Sequence, residues 1–424
     1  MKTTLQLAAV LIVGLMIGAA VTYFIVPLAT SPGTTTSGGI QTIKIGGLFG
    51  TSGDSASYGV DIQNGAQVGI NDVNNYLQSI GSNYRFQLVT YDTANTATGA
   101  LSGMTALAQT QGIQAFLGPG NSVEIGGIVD YANSHKLVTV ALYSSDAYSN
   151  QPYIFRPYTA NHLVGPAAVK VMWNEGIRNV AAIYRDDSLG SSLNSIMKAA
   201  WQSLGGTWVS VQYTIDQPDY GSEVASLSSA VSSLGISPQT AVFHVTFETD
   251  GLNIYTHAST DSVLTQVRWF GETDAQRAAF LPPSASQAIG DFLVQVKDTG
   301  LTNVNPLSNV TRSFVSEFNA RTGHNPTSWS LYTYDDAWLL TMALVQTGGQ
   351  FGVHLAAAIP KVAAHYVGAS GPLPLDKNHD LATADFGVWH VTKTGTAYAY
   401  TNFEFYSGTL GTLSPWVSGI FYGS

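Results

Sequence analysis

The chain has 424 residues, of which 45% are hydrophobic and 11% aromatic, so it can build sizeable cores and lacks the composition of a disordered protein. Only 10% of the residues are charged and the formal net charge is −10, which leaves no basic surface for nucleic acid. Because cysteine is absent, disulfides, thiolate catalysis and cysteine-ligated metal sites are excluded.

A long apolar run is the first predicted element. It follows Lys2 and extends from Leu7 to Ala29, slightly more than the roughly 20 residues that span a bilayer. Signal-peptide cores are shorter, about 7–15 residues, and no clean small-residue cleavage site follows the run. No Lys or Arg occurs between Lys2 and Lys44, which orients the bulk of the chain outward. The sequence therefore predicts a transmembrane anchor at residues 1–29, with a cleaved signal peptide as the alternative.

Residues 30–39 are rich in Ser, Thr, Pro and Gly and predict a flexible linker. From Ile40 onward, short strand-like runs alternate with amphipathic helical patterns, which predicts α/β lobes with parallel sheets covered by helices on both faces. The predicted strands are Thr42–Phe49, Phe86–Tyr91, Ala115–Leu117, Val138–Leu142, Val180–Tyr184, Val209–Tyr213, Ala241–Val245 and Val267–Phe270. The predicted helices are Gly59–Leu77, Ala97–Gln109, Val123–His135, Leu163–Glu175, Leu193–Leu204 and Tyr220–Leu234. Two later runs, Phe386–Val391 and Ala397–Tyr406, predict an antiparallel addition.

The sequence does not contain the residue spacings that known catalytic and metal-binding motifs require. The nine histidines form no short-range metal pair, and neither a GxSxG elbow nor a phosphate-binding GxxxxGK loop occurs. The segment from Asp376 to Asp380 begins like a calcium loop, but Leu381 stands where an EF-hand requires glycine, so a tight polar turn is favoured. The acid pairs 186–187 and 335–336 are interpreted as capping or hinge contacts rather than catalytic dyads. The sequence thus predicts no enzyme, no metal site and no cofactor.

An ordered set of motifs carries a family resemblance. They include IKIGGLFGTSGDSASYG at 43–59, FLGPGNSVE at 116–124, AAIYRDDSLGSSL at 181–193 and GPLPLDKNHDLATADFGVW at 371–389. In this order the chain, from Ile43 to about His390, resembles the type I periplasmic binding proteins of the leucine/isoleucine/valine and amide-receptor group. The resemblance implies two Rossmann-like lobes joined by a three-strand hinge. Lobe one is expected at 40–158 and 294–384, and lobe two at 159–293 and 385–424.

Helix-terminus chemistry and the resemblance together predict a ligand site between the lobes. Ser122, at the start of a helix after a strand, is predicted to meet an anion such as an amino-acid carboxylate, unless it only caps its own helix. The resemblance implies that an acid in Glu272-Thr273-Asp274 pairs with a ligand ammonium, without indicating which acid faces inward. The other implied contacts, for whose aromatic members core packing is the alternative, are Tyr58, Tyr143, Ser145, Phe247 and Trp329.

The resemblance also implies the function. It indicates an extracytoplasmic solute-binding protein of an ABC-type importer, which closes around a small molecule and delivers it to a membrane permease. An apolar or branched-chain amino acid is the leading ligand, followed by an amide or urea-like solute. Leu189 stands where the family often has tyrosine, and Tyr143 where a small residue is common, so the ligand is not fixed. A sensory ectodomain and a structural surface or filament protein on the same fold are the alternatives.

Overall fold

The computed structural model describes residues 39–53 and 55–421. The chain divides into two compact units, residues 1–41 and residues 42–424, and the second unit holds the fold described below. The predicted transmembrane segment at 1–29 lies outside the described residues, as does the predicted linker up to residue 38. Within the described part of the chain, no helix combines the length and apolar character needed to cross a bilayer.

Two sheets organise the second unit. Among the described residues the first sheet has five strands in the order β2–β1–β3–β4–β5, and the pairs from β1 to β5 are parallel. Its strands are β1 (Gln41–Phe49), β2 (Tyr84–Asp92), β3 (Ala115–Leu117), β4 (Val138–Val140) and β5 (Ile154–Phe155). The chain reverses its direction of travel across the sheet between the neighbours β1 and β3. Such a switch point leaves a crevice beyond the carboxyl ends of the two strands.

The second sheet repeats this order and then extends it. Eight described strands follow the order β13–β12–β11–β10–β9–β8–β6–β7. They are β6 (Asn179–Arg185), β7 (Thr207–Tyr213), β8 (Thr240–Val245), β9 (Arg268–Gly271), β10 (Thr299–Asn303), β11 (Phe386–Thr394), β12 (Ala397–Ser407) and β13 (Thr412–Pro415). Strands β6 to β10 are parallel, with a switch point between β6 and β8. Strands β11 to β13 join antiparallel, which confirms the addition predicted from the aromatic runs.

Helices connect the parallel strands, as the alternating pattern predicts. In chain order they are α1 (Ala56–Ser79), α2 (Ala97–Gln111), α3 (Ser122–His135), α4 (Asn161–Asn174), α5 (Ser188–Ser203), α6 (Gly221–Leu234), α7 (Glu248–Ala258), α8 (Gln287–Gln295), α9 (Asn309–Thr322), α10 (Ser328–Gln346) and α11 (Val353–Ala363). The long helices α1 and α10 pack against each other. Gly65 and Gly69 of α1 lie against the backbone of Ser330 and Tyr334, so the lack of a side chain there permits the close approach.

Each sheet has its own apolar core. Phe116, Ile125 and Ile128 lie in the core of the first lobe, and Trp269 and Phe292 in that of the second. All five side chains are essentially inaccessible to solvent. Separate cores on two sheets are the expected result for a chain of this length, because a single core stops growing at about 250–300 residues.

The second crossing between the lobes differs from the sequence-based boundary. The prediction returns the chain to lobe one at residue 294, but β10 pairs with β9 and β11 inside the second sheet. The run from Thr299 to Asn303 contains one large apolar residue, Leu301, so its sequence gives little indication of a strand. We therefore propose that the crossing follows Asn303.

Candidate ligand-binding site

A cavity of about 420 Å³ lies where the two switch points face each other. The segments that follow β1 to β5 form one wall, and those that follow β6 to β9, with the last residue of β6, form the other. The first wall consists of Gly53, Ser55, Tyr58, Ala94, Asn95, Thr96, Ala97, Gly120, Asn121, Ser122, Val123, Tyr143, Ser144 and Tyr158. The second consists of Arg185, Leu189, Ile215, Asp216, Phe247, Asp274 and Arg277. The volume is within the range of about 300–1,000 Å³ that is usual for small-molecule sites.

Three helices begin at the first wall: α1 at Ala56, α2 at Ala97 and α3 at Ser122. Helix N-termini carry unpaired N–H groups and partial positive charge, which attract anions. Thr96 and Asn121 cap α2 and α3, each accepting a hydrogen bond of 3.0 Å from a backbone N–H. None of the described residues that line this wall is charged. The wall is therefore suited to the negative end of a ligand.

Ser122 is the first residue of α3 and is not its cap, since Asn121 has that role. Its Oγ accepts hydrogen bonds from the backbone N–H groups of Ser144 at 3.2 Å and Ser145 at 3.0 Å. A serine hydroxyl has two acceptor positions and one proton, so the proton remains for a ligand acceptor. Ser145 is fully buried and does not line the cavity; its Oγ accepts from the backbone N–H of Ala147.

Two arginines flank an aromatic ring on the second wall. The Cζ of Arg185 lies 3.9 Å from the centroid of the Phe247 ring, and the Cζ of Arg277 lies 4.9 Å from it. Both side chains are largely buried, at 4% and 6% exposure. Sequence reasoning names Phe247 and misses both arginines. The one available signal is that Arg185 ends an apolar strand directly before two acids, an unusual place for a charge unless it is paired.

Carboxylates outnumber these guanidinium groups. Arg185 makes ion pairs of 2.7 Å with Asp187 and with Asp250. Arg277 pairs with Asp274 at 3.1 Å and lies 3.6 Å from Glu248, and Asp216 lines the cavity nearby. The residues that line the second wall include two acids, Asp216 and Asp274, and the two arginines, so the lining itself is balanced in charge. Counted with the acids behind the lining, five carboxylates stand against two guanidinium groups, and this side of the cavity carries net negative charge even with one of these acids protonated. It is suited to the positive end of a ligand.

The two acids in the segment after β9 have different roles. Oε2 of Glu272 accepts from the Thr273 hydroxyl at 2.9 Å and from the backbone N–H of Asp274 at 2.7 Å, so Glu272 caps the following turn. Asp274 lines the cavity, whereas Glu272 does not and Thr273 lines a different cavity. Burial raises the pKa of both carboxyl groups, and Asp274 raises that of Glu272 further, while Arg277 opposes the rise at Asp274.

Three of the four aromatic residues named from the sequence line the cavity, namely Tyr58, Tyr143 and Phe247. Trp329 does not. Its ring packs edge-on against Tyr58, with centroids 4.3 Å apart, and its Nε1–H donates to the hydroxyl of Tyr158. Trp329 therefore supports the wall from behind. Tyr158, which sequence reasoning misses, lines the cavity itself.

One cluster of described residues has the spacing of a metal site. Asp146, His162 and Asp380 bring their ligand atoms within 4.8 Å of one another. The guanidinium of Arg156 lies among them, 3.1 Å from Asp146 and 2.8 Å from Asp380. A buried cation that already pairs with two of the acids opposes the entry of a second cation.

Solved structures share this architecture. A leucine-binding protein of Thermotoga maritima aligns with 85% of this chain and 97% of its own, at a TM-score of 0.68 and 17% identity. A solute-binding protein of an R. palustris ABC transporter, solved with 4-hydroxybenzoate, aligns with 87% of this chain and 98% of its own, at a TM-score of 0.73 and 17% identity. At such identity the likeness concerns the fold.

Sequence comparison gives the family. An uncharacterised protein of Methanocaldococcus jannaschii is 24% identical over 390 residues, which cover 85% of this chain and 90% of that protein. The model of the periplasmic binding protein family matches residues 42–396, which is most of the chain and includes nearly all of strands β1 to β11 and every residue that lines the cavity of about 420 Å³. The chain therefore belongs to the periplasmic binding protein family.

Proposed function

We propose that this protein is the extracytoplasmic solute-binding component of an ABC-type importer and that its ligand is an amino acid with an apolar side chain. The observation that carries the proposal is the opposite character of the two cavity walls. Three helix N-termini and the Ser122 hydroxyl lie at one wall. At the other, Asp216 and Asp274 line the cavity beside two arginines, and the acids behind the lining that pair with these arginines give that side an excess of carboxylates. A zwitterion presents a carboxylate and an ammonium group, and it balances both walls at once.

The wall charges favour an amino acid over the other ligand classes. An aromatic acid such as 4-hydroxybenzoate, the ligand in the R. palustris structure, has a carboxylate but no cation for the second wall. An amide or urea-like solute has neither charge. The apolar lining residues Leu189, Ile215 and Phe247 provide a surface for an aliphatic or aromatic side chain. The name of the T. maritima protein, a leucine-binding protein, agrees with this class.

Transport would depend on closure of the two lobes. Ligand groups that touch both walls stabilise the closed arrangement, and the shift occurs only because the ligand binds that arrangement more tightly than the open one. The closed lobes would then present their surfaces to a membrane permease. An anchor at 1–29 would hold the protein beside the permease and stays a prediction from the sequence.

Calorimetry with a matched ligand series tests the proposal. Leucine, isoleucine, valine and phenylalanine are compared with leucinamide, which lacks the carboxylate, and with 4-methylpentanoate, which lacks the ammonium group. We expect at least one amino acid to bind, and each truncated analogue of leucine to bind at least tenfold more weakly than leucine. Equal binding of 4-methylpentanoate or 4-hydroxybenzoate would refute the amino-acid assignment. If amino acids, amides and aromatic acids all leave the melting temperature unchanged, the clamp itself is refuted and a structural role is favoured.

A further inference from the structure

A second cavity, of about 230 Å³, lies beside the proposed crossing after Asn303. Its lining comes from the turn after β9, the end of β10 with the segment that follows, the start of α10 with the residue before it, β12, and the residue after β13. The lining residues are Thr273, Gln276, Thr302, Asn303, Val304, Asn305, Thr327, Ser328, Trp329, Asn402 and Trp416. None of these is charged. The volume is several times the roughly 30 Å³ that one water molecule occupies in the liquid.

Two carboxamide oxygens at this cavity have unmet hydrogen-bonding capacity. The Oδ1 atoms of Asn303 and Asn402 are buried, and neither has a hydrogen-bond partner among the described residues. Asn303 is only 6% exposed, and its Nδ2 donates to the Tyr158 hydroxyl at 3.4 Å. Neither oxygen has accessible surface in this arrangement, but both belong to side chains that line the cavity. Leaving a buried acceptor unpaired costs about 1–3 kcal/mol, so rotation of either carboxamide toward a hydrogen-bond donor in the cavity would recover that energy.

The other lining residues indicate the chemical class of the ligand. Two indoles, Trp329 and Trp416, offer flat apolar surfaces, while amide and hydroxyl side chains surround them. A charged ligand would lose its hydration here without meeting an opposite charge. A ring that has apolar C–H faces and several hydroxyl groups at its edge matches both kinds of surface.

We propose that this cavity binds a small, neutral, polyhydroxylated molecule, a monosaccharide or a cyclic polyol. The site is separate from the amino-acid cavity. Thr273 lines the second cavity and Asp274 the first, and Trp329 stands between the second cavity and Tyr58. The Tyr158 hydroxyl accepts from Trp329 and from Asn303, so the second cavity lies directly behind the first wall.

Ligand-observed saturation-transfer NMR on the full-length protein tests the proposal with D-glucose, D-mannose and myo-inositol as probes. We expect transfer to at least one of them. Asn402→Ala and Trp416→Ala, both of half-buried residues, should each weaken that binding at least tenfold. Gln276→Ala is a further half-buried variant in the same lining, used if one of the two does not fold.

Thr401→Ala is the matched control, because Thr401 is exposed and adjoins Asn402 on β12, where successive side chains point to opposite faces. It should bind the probe as the unmodified protein does. The proposal is overturned if no probe binds, or if folded variants at 402 and 416 bind as tightly as the control.

Discussion

Nε of Arg156 donates to Oδ1 of Asp380 at 2.9 Å, and the backbone N–H of Leu381 donates to the carbonyl of Arg156 at 2.8 Å. These contacts join the chain just after β5 to the segment that leads into β11. The Asp376 carboxylate accepts from the backbone N–H groups of Asn378 and Asp380, which makes the preceding segment the tight polar turn that the sequence predicts. Two stretches more than 200 residues apart are thereby joined near residues 158 and 384, where the sequence predicts crossings between the lobes.

Arg156→Met should lower the free energy of unfolding by about 3–5 kcal/mol, since it leaves the buried Asp380 without its cation and leaves the half-buried Asp146 with His162 alone. Urea denaturation measures the change. Arg321→Met, at an exposed position on α9, should change stability by less than about 0.5 kcal/mol. A loss at 156 no greater than the loss at 321 would contradict the prediction.

Ser122→Ala should weaken amino-acid binding by about 1–3 kcal/mol, because it removes a hydroxyl donor from a residue that lines the cavity. It also removes the acceptor of the Ser144 and Ser145 N–H groups, so some loss of stability should accompany the effect. Calorimetry and thermal melting separate the two. Ser134→Ala, at an exposed position of the same helix, should leave affinity unchanged.

The two acids after β9 should respond differently to neutralisation. Asp274→Asn should weaken amino-acid binding by about 1–3 kcal/mol, because Asp274 is the acid that lines the cavity. Glu272→Gln should have the smaller effect on affinity, since Glu272 caps a turn and does not line the cavity. Calorimetry with the same amino acid compares the variants. A larger loss for Glu272→Gln would show that the segment is arranged differently when ligand is bound.

Amino-acid affinity should fall as the pH rises through about 7. Glu124, in the first turn of α3, is fully buried, and burial raises its pKa to about 7 although it accepts a hydrogen bond from Thr93. Below that pH the group is neutral and the positive helix terminus is unopposed, whereas above it a negative charge disfavours the ligand carboxylate. Glu124→Gln should flatten the profile that calorimetry gives between pH 5.5 and 8.5. An unchanged slope in the variant would remove Glu124 as its cause.

Asp336 should lower the free energy of unfolding at neutral pH. Neither carboxylate oxygen has a hydrogen-bond partner among the described residues, and burial together with Asp335 raises its pKa well above the ordinary value. The folded state therefore holds the proton more tightly than the unfolded state, so the free energy of unfolding falls as the pH rises above the ordinary carboxyl pKa.

Asp336→Asn should stabilise the protein by about 0.5–3 kcal/mol at pH 7 and by less at pH 4, as followed by thermal melting. Asp130→Asn, on the exposed face of α3, is the control for the changed net charge. A gain at pH 4 equal to that at pH 7 would be inconsistent with a protonation effect.

Local patterns were sufficient for eight of the ten strands from β1 to β10, all but β5 and β10, and for part of the site. Short apolar runs alternating with amphipathic helices fix the βα order, and the chemistry of helix termini identifies Ser122. Arg185 pairs with its near neighbour Asp187, but its second partner, Asp250, is separated from it by 65 residues. No local rule brings them together. Glu272 and Asp274 are likewise equivalent by composition, and only the geometry of the turn places Asp274 at the cavity.

The first five strands of each sheet share one order, β2–β1–β3–β4–β5 in the first and β7–β6–β8–β9–β10 in the second. Equivalent loops therefore meet across the cleft, and the two halves of the molecule differ mainly in what those loops carry. The same strand order therefore supports two sets of loops, one from each sheet, whose residues can vary independently. In the site proposed above, substitutions after β6, β8 and β9 would change how the ligand ammonium group is bound without altering the groups that receive its carboxylate, so selectivity would diverge one end of the ligand at a time.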